Sequence, residues 1–409
     1  MAEACTYPMA RVLERRVVIP HGEMRAPVVG FVTYVHPTQP RLIRRHGWEV
    51  SDDIHDDFYD LASDDNGVTW SVPVRSVVNY REGDHYIVHT ENAVLYLPQR
   101  DRLVVITNMI DQPALDRGHE LGRPIRLRIT VSAPGDYLRA AHYITDFDLP
   151  RGLAVSFCQP IEDSRGRLLV PVQYQAADTD GALRRAGIRV QDSTGLAYDY
   201  GRSALMIGTF DAAGAVNWSL GEPVPIEMGL SSRGLYEGAI AELGDGRLVM
   251  ILRGSNHLWP DRPGCKWLSL SDDGGQSWSA AQPLQCDDGT LIESSATGSA
   301  IIRSAHDGRL YWLGNLCIDG RRPDGNMPRS PLVIAELAES PVALRRETIR
   351  VIDRAAPHEH PDTQHSNFKL YQDRATGDLV LYLTRYGERG YADNAWRKAD
   401  HYQYRVAMG

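Results

Sequence analysis

A polar or glycine-containing turn followed by leucine and a run of β-prone apolar residues recurs along the chain. The copies are Asp101-Arg102-Leu103-Val104-Val105-Ile106, Gly166-Arg167-Leu168-Leu169-Val170, Gly246-Arg247-Leu248-Val249-Met250-Ile251, Gly308-Arg309-Leu310-Tyr311-Trp312 and Gly377-Asp378-Leu379-Val380-Leu381-Tyr382. Their leucines lie 65, 80, 62 and 69 residues apart, intervals that fit a four-stranded sheet with generous loops. An earlier apolar strand, Pro27-Val28-Val29-Gly30-Phe31-Val32, precedes the first copy by about one more interval. Amphipathic helical windows are scarce, and Pro and Gly are scattered throughout.

Six repeats in 409 residues give about 68 residues each. The pattern therefore predicts an all-β, six-bladed β-propeller, with seven blades as the variant that one irregular repeat would allow. At 409 residues a compact chain would ordinarily divide into two or three domains. Radial repetition escapes that limit because each blade buries its faces only against its neighbours, so residues 1–409 are expected to form one propeller domain.

An octapeptide of pattern Ser-x-Asp-x-Gly-x-(Thr/Ser)-Trp occurs at 63–70 and again at 271–278. Its Asp65 and Asp273 can accept backbone N–H groups in a tight turn, Gly67 and Gly275 can take a positive φ, and Trp70 and Trp278 can lock the turn onto the sheet. A degenerate third copy spans Asp211 to Trp218.

The formal charge of −9 and pI near 5.9 argue against a nucleic-acid or anionic-membrane partner. The basic residues are nearly all Arg, with Lys only at 266, 369 and 398. Arg is the better two-point grip for a carboxylate. Five scattered cysteines without a CxxC offer neither a disulfide framework nor a zinc site. The start of the chain has no basic segment leading into an apolar stretch, which predicts a cytoplasmic protein; a leader already removed would make it secreted or periplasmic.

The two octapeptides within a six-fold strand repeat resemble the sialidase (neuraminidase) superfamily, where this octapeptide is the Asp box. The resemblance implies three arginines on a substrate carboxylate, an Asp acid/base, and a Tyr nucleophile activated by Glu. Arg25, in Arg25-Ala26-Pro27 ahead of the first strand, matches the first arginine. Asp52, eleven residues before Ser63, matches the acid/base, with Asp53 as fallback. Glu237, the Asp245-Gly246 turn, Arg253 and the second Asp box follow the family's order in the fourth blade, and sixteen residues between Glu237 and Arg253 place both near one end of a hairpin. Arg329 in Pro328-Arg329-Ser330-Pro331 matches the third arginine, with Arg321 and Arg322 competing. Where the family has its tyrosine, this chain has His365.

Two chemistries suit such a set. In an exo-acting glycoside hydrolase on a terminal acidic sugar, Asp52 protonates the leaving oxygen while a Glu237–His365 pair activates water, a non-tyrosyl route. In a polysaccharide lyase cleaving a uronate by β-elimination, the arginines stabilise the enolate, His365 takes the proton and Tyr236 serves the leaving group. A propeller that binds sugar without catalysis is the third reading. The expected partner in every case is an acidic oligosaccharide. No cofactor is required, although His358-Glu359-His360, if extended, would place two imidazoles on one face for a cation. The Arg- and aromatic-rich C-terminal run offers Arg385 and Glu388 as further sugar contacts, while Tyr402 to Val406 is expected to close the propeller against the first blade.

Overall fold

The structure is a computed structural model that describes residues 7–22, 25–51, 53–112, 123–133, 136–145, 153–190 and 196–408. Among these residues the strands form six antiparallel sheets of four or five strands, the all-β, six-bladed propeller class. The chain divides into two compact units with three sheets in each.

One unit comprises Met1–Ala10 and Ser156–Arg354. Its third sheet of the chain runs Ile161–Glu162, Leu168–Ala177, Leu196–Phe210, Val216–Leu220. The fourth runs Tyr236–Glu242, Leu248–Arg253, Lys266–Ser271, Gln282–Pro283. The fifth runs Ala300–Arg303, Leu310–Asn315, Leu332–Glu339, Val342–Leu344, with Arg350–Asp353 also paired to Leu332–Glu339. Strand Leu248–Arg253 is buried along its whole length, and alternation explains how. Val249 and Ile251 pack with Ile301, Trp312 and Val333 of the fifth sheet, whereas Leu248, Met250 and Leu252 pack with Leu169, Leu205 and Ile207 of the third. Each such side chain stabilises the fold by roughly 1.5–3 kcal/mol through burial.

The other unit comprises Arg11–Val155 and Ala355–Gly409. Its first sheet runs Ala26–Tyr34, Leu42–Ser51, Phe58–Ser63, Val74–Val77. The second is built on His85–Leu97, Arg102–Gln112, Arg123–Ala133 and Asp136–Thr145, and the sixth on Lys369–Gln372, Leu379–Thr384, His401–Val406 and Val12–Ile19. The same two-sided packing operates. Val29, Val32 and Leu42 meet Tyr371, Val380 and Tyr382, while Phe31 and Ile43 meet Leu103 and Val105.

The recurring turn has one physical cause. Asp101, Gly166, Gly246, Gly308 and Gly377 all sit at positive φ, between 50° and 86°, where glycine or a short polar residue is favoured. Each turn leads into the second strand of its sheet, the short strand Tyr80–Glu82 of the second sheet not counted. The first sheet's counterpart is therefore Leu42, not the strand Pro27–Val32 expected from the interval, which belongs to the first strand Ala26–Tyr34. Pro40-Arg41 ahead of Leu42 lacks the glycine signature and hid the copy. Closure also differs in its partner. His401–Val406 pairs with Val12–Ile19, so both chain ends meet within the sixth sheet instead of reaching the first.

Both Asp boxes join third and fourth strands. In the second, Asp273 accepts from the Ser277 amide at 3.0 Å and its hydroxyl at 2.5 Å, Ser271 Oγ accepts from the Gly275 amide at 2.8 Å, and Gly275 has φ 91°. In the first, Asp65 accepts from the Thr69 amide and hydroxyl at 2.8 and 2.6 Å, and Gly67 has φ 83°. The degenerate copy occupies the same place in the third sheet, with Asp211 capping the amides of Ala213 and Ala215.

Four histidines of the unit containing the first, second and sixth sheets are held neutral in the folded state. Burial is the main cause, taking His46, His55 and His89 down to about 4 and His401 down to about 3. The unfolded chain binds these protons near the ordinary value of about 6.5. The stabilisation is thus complete above about 6.5 and is lost as pH falls from there through about 4. Thermal melts across that window should show a steep fall in Tm, and a His46→Gln/His89→Gln variant should flatten it.

Candidate functional site

The fourth sheet supplies a polar row at one end of three adjacent strands. Tyr236 is the register partner of Arg253, and Arg253 that of Lys266, so their side chains share a face of the sheet. The strand carrying Tyr236 then breaks register. Tyr236 opposes Arg253 but Ala239 opposes Ile251, so one extra residue is inserted as a β-bulge. Glu237 occupies it at φ 49°, a left-handed conformation costing roughly 1–2 kcal/mol for a residue with a Cβ. The bulge is held from outside. The Glu237 amide donates to Gln173 Oε1 at 2.9 Å, and Gly238 packs so closely that a Cβ there would meet Met250 Sδ at 2.8 Å.

This distortion aims Glu237 at Arg253, the pairing anticipated from their spacing. Arg253 Nη1 donates to Glu237 Oε1 at 2.5 Å, with the Ser156 hydroxyl also donating at 3.3 Å, and both charged side chains are about nine-tenths buried. Glu237 Oε2 is buried without a hydrogen-bond partner, as is the Tyr236 hydroxyl. The Tyr236 ring lies between two guanidiniums, Arg253 Cζ at 4.5 Å and Arg233 Cζ at 5.2 Å from its centroid. Asn326 gathers the arginines: its Oδ1 accepts from Arg253 Nη2 at 2.8 Å and Arg233 Nη1 at 3.5 Å, and its carbonyl from Arg329 Nε at 3.2 Å.

Burial alone would raise the Glu237 carboxyl, but the charges of Arg253, Arg329 and Lys266 and the Arg253 hydrogen bond outweigh it and hold the group below its usual value. Glu237 is therefore an anion. Arg253 bonds it directly, and the charges of Arg329 and Lys266 also reach it. Of the competing arginines, Arg329 is the one whose charge Glu237 feels, whereas Arg321 is bound to Asp319 and the Ser330 carbonyl and Arg322 to Glu293. Arg233, Lys266, Asn326 and Gln173 escaped the sequence reading. Only Arg233, four residues before Glu237, and the rarity of lysine offered any signal.

The other unit holds the remaining candidates. Arg25 immediately precedes the first strand, is half-exposed, and lies 3.4 Å from Asp56. Asp52 falls outside the described residues. Asp53 is exposed at φ 55°, its amide donating to Glu49 Oε1 at 3.3 Å. His365 is fully buried, and its Nε2 lies 3.1 Å from Arg385 Nη2 and 3.3 Å from Nε. Arg385 is also buried and grips Glu359 with two 2.7 Å bonds. Arg385 is thus a hydrogen-bond partner of His365. The guanidinium donates into Nε2, the lone pair a general base would use, and the donors of Arg385 point into the fold. Glu388 caps the Asp400 amide at 2.9 Å and accepts from the Tyr402 hydroxyl at 3.0 Å.

A Tyr–Glu pair absent from the sequence reading occurs here, with the Tyr386 hydroxyl donating to Glu49. Burial, then the Glu49 charge, push this phenol well above its usual range, so it is held protonated. The His358-Glu359-His360 segment is a turn and not an extended strand, which removes the geometric basis for two imidazoles on one face. Among the described residues no group of three or more His, Cys, Asp or Glu side chains is placed to hold a metal ion.

Residues 51–348 match the family described as BNR repeat-like domain. No curated protein matches the sequence. Among solved structures, a protein of unknown function from Dyadobacter fermentans is 13% identical with a TM-score of 0.62, covering 98% of this chain and 100% of that one. The NanB sialidase from Streptococcus pneumoniae is 11% identical with a TM-score of 0.59, covering 98% of this chain and 71% of that one. A Trypanosoma rangeli sialidase mutant displaying trans-sialidase activity is 12% identical with a TM-score of 0.58; the match covers 97% of this chain but 59% of that one, less than two thirds of its length. Likeness at these identities establishes the shared fold.

Arg253→Met strands the Glu237 carboxylate in the interior and should destabilise the protein by about 3–5 kcal/mol. Adding Glu237→Gln should restore a large part of that loss. Guanidinium denaturation of the two single variants and the double variant measures the coupling.

Proposed function

The chain belongs to the BNR repeat-like domain family, and we propose that it is a carbohydrate-active enzyme that binds a carboxylate-bearing sugar at the Glu237–Arg253 cluster. One observation carries this reading. A buried, ionised Glu237, bonded to Arg253 and within reach of the charges of Arg329 and Lys266, keeps one oxygen without a hydrogen-bond partner. A carboxylate buried only for stability would have both oxygens hydrogen-bonded. An acidic sugar offers a carboxylate to the arginines and supplies the hydroxyl donor that Glu237 Oε2 lacks.

In the hydrolase form of the proposal, Glu237 acts as an anion, as a base or as a stabiliser of developing positive charge on the sugar. His365 and Arg385 support their own unit, because the lone pair of one is bonded to the donors of the other. The lyase form draws support from the Tyr236 hydroxyl, which has no partner and sits beside the cationic cluster that enolate formation needs.

The test is incubation with sialosides and, separately, with uronate oligosaccharides. New reducing ends without ultraviolet absorbance identify hydrolysis, and growth of the unsaturated-uronate absorbance identifies elimination. Arg253→Ala should mainly raise KM, while Glu237→Gln should lower kcat by about 100- to 10,000-fold. Absence of turnover with retained binding of the acidic sugars would make the protein a sugar-binding propeller.

A further inference from the structure

The two terminal nitrogens of Arg253 meet different kinds of oxygen. Nη1 donates to the Glu237 carboxylate, whereas Nη2 donates at 2.8 Å to Oδ1 of Asn326, a neutral amide. The same Oδ1 lies 3.5 Å from Nη1 of Arg233. A guanidinium only donates, so the oxygen end of the amide faces the arginines and its NH2 end faces away. A carboxylate gripped at two points, through Nε and Nη2 or through both terminal nitrogens, uses Nη2 in either case. Asn326 thus holds the donor that a sugar carboxylate would take.

The way Asn326 is held decides what it does there. Its backbone is fixed. Asp324 and Met327 exchange amide bonds of 2.8 and 3.1 Å across the two-residue turn Gly325-Asn326, where Gly325 takes φ 54°. The Gly325 amide donates to Asn256 Oδ1 at 3.0 Å, its carbonyl accepts from the Ala296 amide at 2.7 Å, and the Asn326 carbonyl accepts from Arg329 Nε at 3.2 Å. The side chain is different. Asn326 is exposed, and among the described residues its Nδ2 bonds to no protein group. A residue that positions an arginine is itself tied from behind by a further bond. The Asn326 side chain is tied only by the arginines, so it can rotate into water while the turn stays in place.

We propose that Asn326 is a built-in competitor of the ligand: its amide oxygen stands on Arg253 where one oxygen of a carboxylate binds, and the incoming acid displaces it. The proposal rests on the acidic-sugar reading of the Glu237–Arg253 cluster. The exchange runs downhill for an acid, because an ionised acceptor bonds a guanidinium roughly twice as strongly as a neutral one. A neutral carbonyl, such as that of an ester, gains nothing by the same exchange. In the ligand-free protein the amide satisfies the donor without fixing a second anion beside Glu237.

The test is calorimetric titration of the wild type, Asn326→Ala and Asn326→Asp with N-acetylneuraminate, glucuronate and acetate. Removing the competitor in Asn326→Ala should tighten binding of the acids about tenfold, the scale of one hydrogen bond to a charged group. A tethered carboxylate acts at high effective concentration, so Asn326→Asp should weaken the acids at least about 100-fold while thermal stability is undiminished. Weaker binding by Asn326→Ala makes Asn326 a positioning residue and overturns the proposal, as does unchanged binding by either variant. The wild type alone gives a second readout that no folding defect can obscure. With asparagine side chains labelled with nitrogen-15, the Asn326 carboxamide signal should move to that of a solvated side chain when an acid saturates the site, and stay in place with the methyl ester of the same sugar. A signal unmoved by a bound acid, or moved equally by the ester, overturns the exchange and leaves the acidic-sugar reading intact. If neither sugar acid binds the wild type, that reading falls and acetate decides: tighter binding by Asn326→Ala supports the exchange, and acetate bound equally, more weakly or not at all overturns it.

Discussion

Burial on both faces of each sheet is the constraint from which the remaining features follow. In the strand Leu248–Arg253, alternate side chains enter two different cores, one shared with the third sheet and one with the fifth. No face is left for polar chemistry along the strand's length, since a charge placed there would be desolvated without a partner. The one charged residue of this strand, Arg253, accordingly stands at its end. The two ends have been put to different uses. The Asp box from Ser271 to Trp278 occupies the end where the third strand stops, and Tyr236, Glu237, Arg253 and Lys266 occupy the end where it starts.

At that second end, the bulge determines which side chain meets which. A regular strand would direct Tyr236 and Glu237 to opposite faces. The extra residue, with Glu237 at φ 49° and Gly238 too closely packed to carry a Cβ, turns the carboxylate onto Arg253. The strain is offset by a bond between two opposite charges in a nearly dry environment, and by the amide bond to Gln173. Electrostatics then act together. Arg253, Arg329 and Lys266 keep Glu237 ionised, and the Glu237 charge in turn favours the protonated form of Lys266.

The unit of the first, second and sixth sheets handles buried charge differently. Arg385 is as enclosed as Arg253, yet it is matched by Glu359 through two bonds, with the ring nitrogen of His365 as a further acceptor. Its donors are met within the fold, which is how a buried cation is made structural. Arg253 differs because its counter-charge keeps a spare oxygen. Burial type, more than residue type, separates these two arginines, and no pattern of letters encodes it.

The sequence by itself determined the architecture and the local turns. Positive-φ positions demand glycine or a short polar residue, and two-sided burial demands apolar runs, so five of the six second strands could be read directly, together with both Asp boxes. Leu42 was missed because its turn uses Pro40-Arg41 and no glycine. The Glu237–Arg253 pair was also legible, since a hairpin fixes which residues of its two strands are opposite. Tertiary structure alone decided the rest. That Arg385 donates into His365 Nε2, which of Arg321, Arg322 and Arg329 acts on Glu237, and that Lys266 lies beside Arg253 against the Ser295 and Thr297 carbonyls all depend on contacts between segments apart in the chain. Those contacts are set by how sheets pack, and a linear spacing carries no record of them.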